Sequence, residues 1–152
     1  MAEVSPEIQI ADASNLKIAV VSASWHPEIC NSLEQGAKKA LVQSGCKSVS
    51  FHKVAGSFEI ALAAQKLLDA GADAVVALGL VLRGDTPHFD YICQGVTNGI
   101  MQVSLSRNKP IGFGVLMCEN LTQARDRAGF KESKSDKGFE AATAAINLAV
   151  NF

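Results

Sequence analysis

The residues able to do chemistry fall in short clusters, each placed directly behind an apolar run. In "RGDTPHFDY" (83–91), Thr86 suits a helix N-cap and Pro87 the first helical residue, which puts His88 in the first turn. A helix start carries unpaired N–H groups and partial positive charge, so the Asp85 and Thr86 amides and the Thr86 hydroxyl make a candidate anion site. His88 beside it is then placed to exchange protons with whatever the anion belongs to. A plain cap followed by an exposed histidine explains the same residues without a ligand, and such caps are common.

Trp25, the only tryptophan, and Phe58 stand behind two other apolar runs, where a flat heterocycle would stack or where either ring would serve as core or rim. In "AGSFEI", Gly56 permits close backbone approach, Ser57 suits a helix cap, and Glu59 suits the first turn, where an acid favours the dipole. That capping role needs no ligand. Arg127 offers a planar fork for phosphate, but Arg83 and Arg125 are equal candidates by composition, and each is also a plausible solvated charge. His26 and His52 read as surface residues without partners. Nothing resembles a P-loop, a dinucleotide glycine signature or paired catalytic carboxylates.

The elements that must position these clusters alternate along the chain. "KIAVVSAS" (17–24), "SVSFHKVAG" (48–56), "ADAVVALGLVL" (72–82) and "KPIGFGVLMCE" (109–119) read as strands, the third apolar enough to be buried on both faces. Between them run amphipathic helices: one opened by Pro27 and stopped by Gly45, one stopped by Gly71, and one with Phe89, Ile92, Val96, Ile100 and Val103 on a single face. A short helical segment "TQARDRAG" ends at Gly129, "FKESKSD" is a loop, and "KGFEAATAAINLAV" is a final helix. Strands alternating with helices predict an α/β fold, an open sheet of four parallel strands covered by helices on both faces. Ligands of such sheets bind beyond the carboxyl ends of the strands, where the clusters above lie.

Composition narrows the rest. With 152 residues, 48% hydrophobic and 19% charged, the chain fits one compact domain, and 14 basic against 15 acidic residues leave no field for nucleic acid or an anionic membrane. The single, scattered cysteines Cys30, Cys46, Cys93 and Cys118 argue against a zinc site or a disulfide framework and for a reducing compartment. No export signal or membrane-spanning run is evident. The tripeptide Arg83–Gly84–Asp85, a cell-adhesion motif elsewhere, would need an exposed extracellular loop, which this context does not supply.

Read together and in order, "VVSASWHPEIC", "KVAGSFEIALAAQ", "VALGLVLRGDTPHFDY", "PIGFGVLMCENLTQARDRAG" and "DKGFEAA" resemble the lumazine synthase family of riboflavin biosynthesis, from about Lys17 to the C-terminus. The resemblance implies a flavodoxin-like three-layer domain over 17–152, with 1–16 a flexible arm free to pack on a neighbouring subunit. It implies condensation of 5-amino-6-ribitylaminouracil with 3,4-dihydroxy-2-butanone 4-phosphate, releasing phosphate and water, without metal or organic cofactor, in the cytoplasm. By the same resemblance Trp25 stacks on the pyrimidine, and Ser57, Phe58, Glu59, Leu80, Val81 and Leu82 line its site. Asp85, Thr86, Arg127 and Lys137 attend the phosphate, His88 transfers protons, and Phe113 comes from a neighbouring subunit. Trp25 stands where many members carry Phe, giving a larger stacking face. Asp85 replaces a small residue and is tolerable beside phosphate only with its carboxylate turned away. The loop "AGFKESKSD" resembles that of members that stop at pentamers, so a homopentamer with shared active sites is expected. A non-catalytic flavin-binding assembly protein and a doubly wound signalling or electron-transfer domain are the rival readings; the combination of Thr86, His88 and Arg127 disfavours the first, and the absence of an acidic strand-end cluster the second.

Overall fold

Period-two alternation in the apolar runs decides the architecture. The computed structural model describes residues 6–152. In β1 (Lys17–Ala23), Ile18 and Val20 enter one apolar cluster while Ala19, Val21 and Ala23 enter another; in β3 (Ala74–Leu82), Val76, Leu78 and Leu80 face the first, and Val75 and Ala77 the second. Strands apolar on both sides need cover on both sides. α1 (Pro27–Gln43) and α5 (Lys137–Asn151) supply it on one face, and α2 (Ile60–Asp69) and α3 (His88–Arg107) on the other.

β2 (Ser48–Val54) and β4 (Ile111–Cys118) complete one parallel sheet in the order β2-β1-β3-β4. The chain steps from β1 out to β2, then back across β1 to β3. That reversal opens a crevice beyond the carboxyl ends of β1 and β3, because the connections leave the sheet toward opposite faces. The expected three-layer sheet of four parallel strands is what forms.

Helix boundaries follow the expected punctuation at Gly45 (φ 73°) and Gly71 (φ 110°), both in backbone conformations that favour glycine. Two ends differ. Pro87, not Thr86, occupies the cap position of α3, and His88 is its first helical residue; the Thr86 hydroxyl accepts from the His88 N–H at 3.4 Å from one residue further back. The helix α4 (Leu121–Arg125) stops well short of Gly129, because the Asp126 and Arg127 carbonyls accept from the Ser135 and Lys137 N–H groups and so leave the helical path. Asn108, at φ 52°, closes α3 in the role more often taken by glycine.

Residues 1–5 of the expected arm lie outside the described residues. From Gln9 onward the segment lies against its own chain: Asn147 of α5 donates to the Gln9 carbonyl and accepts from the Ala11 N–H, and the Ala13 N–H donates to Ser44. α5 itself sits on the backbone of α1. The Asp136 carboxylate caps it through the Phe139 N–H at 3.0 Å, and a methyl at Gly138 would overlap the Leu33 carbonyl. Gly138→Ala is therefore expected to cost about 1–3 kcal/mol of stability, read as a lower urea midpoint with unchanged slope, since overpacking against backbone has little room to relax.

Candidate functional site

The crevice holds a cleft of about 680 Å³, built from three strand ends. Trp25 and His26 follow β1, the segment Gly56–Glu59 follows β2, and Leu80, Val81, Leu82, Gly84 and Thr86 lead from β3 into the first turn of α3, which adds His88, Phe89 and Ile92. The floor is apolar: Leu80 is buried and Val81 and Leu82 are half-buried. Two large rings stand over it with most of their surface in solvent, Trp25 at 67% exposure and Phe58 at 61%. Exposed aromatics facing an apolar floor are what a planar heterocycle needs on both sides.

Local backbone choices hold these groups. Gly56 lets the β2 exit pass close to the tryptophan, since a methyl there would lie 3.3 Å from Trp25 Cδ1. Ser57–Glu59 forms a single 3₁₀ turn, and one Glu59 carboxylate oxygen accepts from the Gly56 N–H at 2.8 Å. Glu59 therefore fixes the turn ahead of α2 instead of lying inside that helix. Ser57 does not cap α2: its hydroxyl is buried without a hydrogen-bond partner among the described residues and lies against β3, where a methyl at Gly79 would come within 2.6 Å of it. Phe58 leans on α3 at Gly95, where a methyl would stand 3.2 Å from the ring. Beneath Trp25, the buried Cys30 thiol donates to the Trp25 carbonyl at 3.2 Å, and burial pushes that thiol up to about 11.

The histidines divide three ways. His88 is exposed at the start of α3 and lines the cleft. His26, expected only as a surface residue, also lines it; the left-handed backbone at φ 53° that starts α1 brings its ring 6.4 Å from the Trp25 ring. His52 lies on β2 with Nε2 at 2.9 Å from the Ser50 hydroxyl, a partner two residues back on the same strand face that the expectation of no partner overlooked.

Charge separates the arginines. Arg83 bonds Glu119 at 2.6 Å and Asp90 at 3.3 Å, Arg107 grips both Asp69 oxygens, and Arg125 bonds Glu28 and Glu132. The Arg127 guanidinium has no carboxylate partner among the described residues and donates to the Gln123 carbonyl, at 2.9 Å. Burial pushes the Cys118 thiol at the end of β4 up, and the charge of Arg127 offsets only part of that rise. Arg127, Lys137 and Phe113 do not line the cleft of this chain. Lys137 bonds Glu140 at 2.7 Å, and Phe113, half-exposed, lies low on β4 opposite Ala77, well before the carboxyl end. Asp85 is exposed between Gly84 and Thr86 and, unlike them, does not line the cleft.

Missed in the linear reading were His26, Gly84, Phe89 and Ile92. Each adjoins a residue that was singled out or follows it by one helical turn, so extending every strand-end cluster by a turn would have found them.

Known proteins with this sequence pattern agree with one another. Residues 15–152 match the family model described as 6,7-dimethyl-8-ribityllumazine synthase. Curated proteins of that name include one from Kineococcus radiotolerans, 51% identical over 96% of this chain and 90% of its own, and one from Streptomyces coelicolor, 47% identical over 95% and 90%. Another, from a Nocardioides species, is 50% identical over 91% and 86%.

The orphaned Ser57 hydroxyl yields a direct expectation for the ligand-free protein. Ser57→Ala removes a buried polar atom that has no partner and should raise stability by about 1 kcal/mol in urea unfolding; a fall would show the hydroxyl to be bonded.

Proposed function

Because the chain belongs to the 6,7-dimethyl-8-ribityllumazine synthase family, we propose that the cleft at the β1/β3 carboxyl ends is where it carries out that family's reaction. The protein is a transferase of riboflavin biosynthesis, condensing 5-amino-6-ribitylaminouracil with 3,4-dihydroxy-2-butanone 4-phosphate and releasing phosphate and water at the penultimate step. The observation that carries the assignment of place is the pairing of two exposed rings, Trp25 and Phe58, over the apolar floor of Leu80, Val81 and Leu82, with His88 at the same mouth.

In this reading the pyrimidine stacks on Trp25, and its ribityl chain runs along Ser57–Glu59. The phosphate sits at the start of α3, held by the Asp85 and Thr86 amides and the Thr86 hydroxyl, with the exposed Asp85 carboxylate turned to solvent. Arg127 supplies the balancing charge, which its lack of a carboxylate partner among the described residues supports. The pyrimidine's 5-amino group forms an imine with the ketone and expels water; phosphate then leaves from C4, the resulting enol tautomerises to a carbonyl at C3, and the ribitylamino nitrogen attacks that carbonyl and expels a second water to close the ring. His88 carries protons among these steps, and much of the rate comes from holding two reactants in one orientation.

Arg127, Lys137 and Phe113 lie outside the cleft of a single chain. A homopentamer with sites shared between neighbours would bring such residues to a cleft they do not line alone. Five chains of 16.0 kDa give about 80 kDa. The four free cysteines suit a cytoplasmic setting, and among the described residues no helix is long and apolar enough to cross a membrane.

Three measurements test these assignments. His88→Ala, assayed by lumazine fluorescence, should lose roughly ten- to a thousandfold in kcat yet keep activity, since the amine and ketone react slowly unaided; an inactive folded variant contradicts this. Arg127→Ala should raise the KM for the ketone phosphate and leave that for the pyrimidine nearly unchanged. Sedimentation velocity should show a single species near 80 kDa, and a megadalton peak would refute the pentamer.

A further inference from the structure

We propose that Arg83 is a positioning residue for His88, tying the first turn of α3 to the ends of β3 and β4. The inference rests on the reading of His88 as the proton-transfer residue. Between β3 and α3, Gly84, Asp85 and Thr86 make no backbone–backbone hydrogen bond among the described residues, and a methyl added at Gly84 would meet nothing within 4 Å. Pro87 caps α3 without a side-chain bond, and the Thr86–His88 contact is long at 3.4 Å. The backbone just before His88 is thus held by little of its own.

Arg83 bridges that gap. Its N–H donates to the Cys118 carbonyl at 3.0 Å, continuing the β3–β4 pairing one residue past the strand. Its guanidinium bonds Glu119 at 2.6 Å and Asp90 at 3.3 Å and lies 4.3 Å from the centre of the Phe89 ring. Phe89 and Asp90 directly follow His88. The backbone of Glu119 is anchored in turn, since its N–H donates to the Gln123 side chain of α4 at 2.8 Å. One planar cation therefore holds both the ring and the carboxylate of the first α3 turn, which a lysine ammonium cannot do together.

Arg83→Gln and Arg83→Lys, each in the wild-type and His88→Ala backgrounds, test this by steady-state lumazine formation, with assembly checked by sedimentation. Arg83→Gln should lower kcat roughly ten- to a hundredfold with both KM values nearly unchanged, the cost of misplacing one group by about an ångström. Lysine should restore part of the loss. In the His88→Ala background the same substitution should cost almost nothing, because Arg83 acts through His88. An unchanged kcat in assembled Arg83→Gln overturns the proposal, as does an equal loss in both backgrounds. Should Arg83→Gln fail to assemble, Arg83→Lys is read the same way. An inert His88→Ala substitution, with wild-type activity retained, refutes the His88 reading itself and this inference with it.

Discussion

Everything in this molecule depends on two central strands, β1 and β3, that are apolar on both sides and must pair in parallel. Neither can face water, so helices have to cross both faces, and a parallel pair cannot be closed by a short turn. Once α1 covers one face and α2 the other, the chain reverses its lateral direction between β2 and β3. The carboxyl ends of β1 and β3 then separate into a crevice that no helix fills. The position of the cleft follows from burial, before any functional residue is considered.

What lies in that crevice is shaped by small residues as much as by large ones. Gly56, Gly79 and Gly95 each face a group of the β2 exit or its surroundings that a methyl would press: Trp25, Ser57 and Phe58 in turn. The 3₁₀ turn Ser57–Glu59 can therefore settle low on β3 and α3 while presenting Phe58 outward. Glu59 stabilises the turn from within by its bond to the Gly56 N–H. Rigid placement of an exposed ring limits the entropy lost when something stacks on it.

Most of this was legible in the residue order where a pattern repeats. The alternation in β3, the helical spacing from Phe89 to Val103, and the glycine stops at Gly45 and Gly71 each impose one local solution. Less legible was whatever depends on partners distant in sequence. Ser57 has the composition of a cap yet lies under Gly79, which nothing within five residues of it reveals. Thr86 and Pro87 differ from expectation by one position, because proline's fixed φ serves the cap position as well as the first helical one. Composition leaves Arg83, Arg125 and Arg127 tied, only the family resemblance singles out Arg127, and the carboxylates that distinguish the three are visible only in the structure. Glu119, Asp90, Glu28 and Glu132 claim the first two and leave the third. Phe113 and Lys137 carry no local signal of a cleft at all, and the single chain keeps them out of it.

The Arg127 guanidinium, which meets no carboxylate among the described residues, has a kinetic side. An exposed cation without an internal counterion attracts solution anions across roughly a Debye length, about 8 Å at physiological ionic strength. A phosphorylated solute is drawn toward such a corner by long-range attraction, whereas an uncharged one arrives by diffusion alone. Raising ionic strength slows the first encounter and not the second. How fast anions reach this corner is therefore set partly by the salt around the protein.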